Sequence, residues 1–129
     1  SQTQSTVTYA AAQFTAATVT NDSHASAPTT VNPEGGSYPA QRLIIVTNPQ
    51  NGNYSSTIAV NIQNITSGSI KVKGITSSNS GAQTITYGGV LLGNTSIPAG
   101  QTNTTGTIVV SGNGSGSKPC TIVITYQLN

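Results

Sequence analysis

Charge is what this chain has least of. Its 129 residues include four Lys or Arg, two Asp or Glu and one His, a charged share of 5 %, where an ordinary domain has about 25 %. The net charge of +2 comes from Arg42, Lys71, Lys73 and Lys118, which form no basic stripe, so nucleic acid is excluded as a partner. Both carboxylates, Asp22 and Glu34, fall in one proline-containing stretch. Acid unfolding comes mainly from protonating carboxylates that are paired in the native state. A folded part beginning near residue 40 holds none, so the protein is expected to be acid-stable, as a surface protein of an acidophile would be.

Other absences exclude more. A single cysteine, Cys120, allows no intrachain disulfide, and its place at the head of an apolar strand reads as a small buried hydrophobe. No run of about 20 apolar residues exists to span a membrane. No charged start leads into an apolar h-region, so a secreted form would be the mature one. No segment has a helical period with caps. His24, flanked by Asp22 and Ser23, lies on a stretch with nothing to hold catalytic geometry. One His, one Cys and two carboxylates show no ligand spacing, so no metal or other cofactor is implied. Gly112–Lys118 (GNGSGSK) precedes no helix and reads as a hairpin loop rather than a phosphate cradle. An isopeptide bond would need a buried acid, and both acids lie elsewhere. The chain reads as a non-enzyme.

What is present is a series of short strands. Arg42–Thr47 is a buried run that ends at Asn48-Pro49, and Asn51-Gly52 is a turn signal. Ser56–Thr66 alternates, with Ile58, Val60 and Ile62 on one face. Ile70 and Val72 alternate with Lys71 and Lys73; Ile85 and Tyr87, then Val90–Leu92, then Ile108 and Val110 follow. Cys120, Ile122, Ile124, Tyr126 and Leu128 share a face at the end. About seven short strands separated by turns predict an all-β sandwich.

Ahead of them stands Ser5–Thr20 (STVTYAAAQFTAATVT), rich in Thr and Val and without charge, Gly or Pro. A strand of about 15 residues spans roughly 50 Å, and alone in water its edges and apolar face need a partner. The following residues, 21–40, carry Pro28, Pro33, Pro39 and Gly35-Gly36 and read as a linker. A structureless connection of that length inside one domain is uncommon, whereas a proline-containing spacer can cross a subunit boundary. The expected layout is therefore a donor strand (1–20), a linker (21–40) and a sandwich domain (41–129). The strand would fill a groove in another copy by β-augmentation, and because such a head-to-tail contact need not close, it builds a filament. Val7, Tyr9, Ala11, Phe14, Ala16 and Val19 are its expected anchors, with a bulge or change of face near Gln13.

Six N-x-S/T triplets begin at Asn21, Asn53, Asn64, Asn94, Asn103 and Asn113, roughly twice the number this Ser/Thr-rich composition gives by chance. Nearly all fall at turns, where a covalent N-linked glycan can reach solvent. A sugar coat would keep so uncharged a β-protein from associating sideways.

Donor strand, proline-containing spacer, Ser/Thr/Asn-rich sandwich and scattered sequons together resemble the archaeal surface filaments assembled by donor-strand complementation, such as the glycosylated thread filaments of Sulfolobales. The resemblance is one of layout and includes no diagnostic motif. It implies an immunoglobulin-like sandwich lacking one strand that a neighbour's tail completes. Thr6–Thr20 would be the donor strand and the six asparagines the glycan sites. It also implies an extracellular pilus-like filament of identical subunits that serves cell adhesion and biofilm formation through surface or neighbouring-cell contacts. Bacterial chaperone–usher pilins share the layout but commonly contain a disulfide, which one cysteine cannot make. The alternatives are a self-contained binding or adhesin module, which would need an exposed aromatic platform, and a virion or S-layer component.

Overall fold

The computed structural model describes residues 6–7, 12–33, 42–79 and 82–128. Among them are nine strands, no α-helix and one 3-10 turn at Gly89–Leu92. The strands are β1 (Thr6–Val7), β2 (Ala12–Ser23), β3 (Thr30–Pro33), β4 (Arg42–Thr47), β5 (Gly52–Asn64), β6 (Ile70–Asn79), β7 (Thr84–Gly88), β8 (Thr102–Gly114) and β9 (Lys118–Leu128). They form two antiparallel sheets, an all-β sandwich.

One sheet runs β2-β5-β8-β7. In the other, β9 is central: β6 pairs along one edge, from Cys120 to Leu128, and β4 pairs along the other, from Lys118 to Val123. β3 lies outside β4, and β1 pairs with Tyr126 and Gln127. Since β6 already takes one edge there, β1 and β4 share the opposite edge, end to end.

The alternation expected from the sequence holds in the long strands. Ile58, Val60 and Ile62 of β5, Ile108 and Val110 of β8, and Ile122, Ile124 and Tyr126 of β9 are fully buried between the sheets. β-Branched side chains dominate because they fit a pleated, two-layer core. Two ends can be distinguished. Asn64, Ile70, Ile97 and Leu128 lie at the upper end. At the lower end, Gln83 Oε1 accepts from the hydroxyls of Thr47 (2.6 Å) and Tyr54 (2.8 Å), joining β4, β5 and the residues before β7 in one buried network.

Three expectations change. The segment read as a linker is largely structured: Asn21–Ser23 completes β2, and Thr30–Pro33 is strand β3. β3 is an edge strand paired only with β4, so the missing N–H of Pro33 breaks no ladder. The rest of that segment, 34–40, lies outside the described residues. Second, Gly112–Lys118 is not a hairpin, because β8 and β9 belong to different sheets. Its crossing uses Gly116 at φ 88°, where a side chain would be strained. Third, Val90–Leu92 is the 3-10 turn that connects β7 to β8 and tucks Val90 and Leu91 into the core.

Candidate functional site

The N-terminal residues touch both sheets of their own sandwich. Thr6 and Val7 lie opposite Gln127 and Tyr126 of β9, and Ala12–Ser23 runs antiparallel to β5 from Asn64 to Ser55. Phe14 is fully buried and Ala12 nearly so. A register shift between Phe14 and Ala16 then changes the inward phase, so that Ala17 and Val19 pack on the core. The shift falls two residues beyond the Gln13 of the sequence reading. Of the six expected anchors, Phe14 and Val19 face the core, while Ala16 is displaced outward in favour of Ala17. Val7 is placed by register only. Tyr9 and Ala11 lie outside the described residues.

A second shift, between Val19 and Asn21, turns Asp22 inward. Its carboxylate accepts from the Thr29 N–H (2.7 Å), the Thr29 hydroxyl (2.7 Å) and the Ser56 hydroxyl (2.6 Å). Burial alone would raise this carboxyl's pKa, but the hydrogen bonds from Ser56 and Thr29 outweigh it and hold the group below its ordinary range. The turn that follows is fastened too. His24, at φ 63°, donates from its ring to the Asn51 carbonyl (2.9 Å), and Ser26 N–H and Gln50 N–H bond across to Asn48 and His24. Asp22 and His24 are therefore structural, and the folded body does contain a paired carboxylate.

Beside β1, the inward side chain Tyr126 is fully buried, and its hydroxyl has no hydrogen-bond partner among the described residues. Burial pushes the ionisation of this phenol far up, so it stays a neutral donor. A buried hydroxyl without a partner is rare and costly. It lies in the part of β9 that β4 leaves uncovered.

The sequon asparagines divide. Asn21, Asn53, Asn94 and Asn113 are exposed and Asn103 is half-buried. Asn53 and Asn113 face each other across β5 and β8, with Asn113 Nδ2 donating to Asn53 Oδ1 (2.6 Å). Asn64 is different: it is fully buried. Its Nδ2 donates to Gly68 (2.7 Å) and Ile97 (2.8 Å) carbonyls, and its Oδ1 accepts from Thr66 N–H (2.8 Å) and hydroxyl (2.7 Å). Both amide hydrogens are used, so the folded protein has no room for a glycan there. Its phase, continuous with Ile58, Val60 and Ile62, was the signal in the sequence.

On the other side of the sandwich, β6 and β7 border an open trough of about 450 Å³ lined in part by Ile75, Tyr87 and Leu92. Leu92 is 61 % exposed and Tyr87 is half-buried. One tyrosine in a shallow groove is not an aromatic platform. Cys120 is buried, and burial raises its thiol pKa to about 11, which leaves it unreactive. Among the described residues no three His, Cys, Asp or Glu come together as a metal site, and no helix is long and apolar enough to cross a membrane.

Compared with known proteins, the chain matches no family model, no curated protein and no solved structure.

Proposed function

We propose that this chain is the structural subunit of an extracellular filament that polymerises head-to-tail through its N-terminal strand, carries N-linked glycans and serves adhesion. The observation that carries this reading is a gap in strand order. β2-β5-β8-β7 facing β6-β9 corresponds to strands A-B-E-D facing C-F of an immunoglobulin-like sandwich. The place of the seventh strand, G, along the second edge of β9, is filled among the described residues by two separate pieces from earlier in the chain. β4 takes the half of that place from Lys118 to Val123, and two residues of the N-terminal segment take part of the remainder. A sandwich completed by a terminal segment that contacts both sheets can be completed equally well by the same segment of another copy, and an unclosed exchange of that kind propagates. The near-absence of charge and the exposed Asn21, Asn53, Asn94 and Asn113, with half-buried Asn103, support a glycosylated surface role.

A self-contained sandwich is the second reading, favoured by the pairing of β2 with β5 of the same chain. Electron microscopy of the full chain and of a chain lacking residues 1–11 separates the two. This truncation leaves Phe14 in place, so the body keeps its core. Thin unbranched filaments that disappear on truncation are expected. Single particles from both proteins would refute polymerisation and leave the self-contained module.

A further inference from the structure

We propose that Asn51-Gly52 is a self-modifying site: the Asn51 amide is lost through a succinimide, and His24 steers the opening of that ring to isoaspartate. This inference stands apart from the filament reading. Asparagine followed by glycine is the pair most open to the reaction, because glycine has no side chain to shield its own nitrogen. The sequence contains two such pairs, Asn51-Gly52 and Asn113-Gly114, and the structure separates them. Asn51 is exposed and lies in the bend before β5. Asn113 lies inside β8, opposite Asn53, and its amide donates to Asn53 Oδ1 (2.6 Å).

The chemistry needs no co-reactant but water. The backbone nitrogen of Gly52 attacks Cγ of Asn51; the N–Cγ bond forms, the Cγ–Nδ2 bond breaks, and the proton of Gly52 leaves with Nδ2 as ammonia. Water then adds to one of the two imide carbonyls, and the bond from that carbonyl to nitrogen breaks. Opening at Cγ leaves an aspartate. Opening at the main-chain carbonyl leaves the chain running through Cγ, as isoaspartate. Ring closure brings the next residue's nitrogen onto the side chain, whereas a strand points its side chains to the faces of the sheet, away from the chain direction. Asn113 therefore reacts only where β8 has come away from β5.

Position 51 also has the one histidine of the chain beside it. His24 is held at φ 63°, a left-handed conformation that a non-glycine residue keeps only where its surroundings impose it. Its Nε2–H donates to the Asn51 main-chain carbonyl (2.9 Å), and a Cβ built on Gly52 would meet the same nitrogen at 3.3 Å. The ring thus lies against both residues that form the imide. The carbonyl it holds is the one whose opening gives isoaspartate. A donor aimed at that oxygen stabilises the oxyanion that forms as water adds. Water reaches it, since Asn51 and His24 are both exposed. The product lengthens the main chain by one carbon at the head of β5. It also adds a carboxylate where Asp22 is the sole carboxylate side chain among the described residues.

The test uses full-length wild type, His24→Gly and Asn51→Gln, made in a host without N-glycosylation and held in mildly alkaline buffer. Peptide maps follow both asparagines, and isoaspartate is counted by enzymatic methylation. His24→Gly keeps the left-handed backbone while removing the ring, and circular dichroism checks its fold. Wild type in urea loses the same contact without any substitution. In the folded chain Asn51 is expected to convert at least about tenfold faster than Asn113, which waits for local opening, and the two rates should converge in urea. The isoaspartate share at 51 should be higher in folded wild type than in urea, and should fall to the urea value in folded His24→Gly. Asn51→Gln should abolish isoaspartate at that position. Equal rates in the folded chain, a faster Asn113, or an Asn51 that keeps its amide would overturn the site. An isoaspartate share unchanged by urea, or unchanged in a folded His24→Gly, would overturn the role of His24.

Discussion

Phe14→Ala tests whether the N-terminal strand belongs to this sandwich's own core. Phe14 is fully buried between the sheets, opposite Ile62 in the β2–β5 register. Removing a fully buried Phe ring costs about 3–5 kcal/mol, counting both lost transfer energy and the cavity left behind. For a domain of this size that corresponds to a fall in Tm of about 12–20 °C, at roughly 4 °C per kcal/mol. The assay is thermal and urea unfolding of wild type and variant at protein concentrations differing a hundredfold, all below assembly. An intrachain seat predicts the full loss, with a midpoint that does not move with concentration. A loss below about 1 kcal/mol would mean that the ring is not in the core of the isolated chain. A midpoint that rises with concentration would mean that Phe14 is supplied by another copy.

Three further outcomes follow from the same geometry. Asp22 has a depressed pKa in the folded state, so its contribution is complete above the ordinary carboxyl pKa and is lost as pH falls through the lower folded value; one small acid-dependent step is expected, and Asp22→Asn should remove it at a cost of about 1 kcal/mol at neutral pH, read from urea curves at several pH values. Tyr126→Phe deletes a hydroxyl that has no partner among the described residues, so the chain should gain up to about 1 kcal/mol in urea unfolding; a loss would reveal a bond to that oxygen. Gly89→Ala places a Cβ 1.9 Å from the Thr105 carbonyl oxygen at φ 64°, and should lower stability by about 2 kcal/mol or more, seen as a shift of the urea midpoint without change of slope.

The long strands were legible because burial on one face imposes a period of two, and β5, β8 and β9 follow it without interruption. The fold class followed from their number. What the sequence hid is non-local. Thr30–Pro33 looks like spacer because Pro28, Pro33 and the acid before them suggest solvent, yet that acid, Asp22, stays a carboxylate satisfied by hydrogen bonds from Thr29 and from Ser56, 34 residues away. The Gly112–Lys118 crossing looks like a hairpin because nothing local says that β8 and β9 have different partners. The first register shift in β2 displaces Ala16 outward and the second turns Asp22 inward, and a bulge is set by what the partner strand offers. Asn64 is the exception: its phase was readable, but the sequon and the Ser67-Gly68 turn drew it to the surface.

Cys120 gives the molecule a clock. The thiol lies on the central strand, between Ile45 of β4 and Asn79 of β6, and is 2 % exposed. With its ionisation suppressed and its access closed, it can react with a thiol reagent only while the sheet around β9 is open. The rate of labelling in the unmodified protein therefore measures how often β4 or β6 lets go of β9, without any introduced probe. If the proposed filament forms, free and filament-bound chains can be timed on the same atom, and a slower rate in the filament would report how firmly the proposed assembly holds β9.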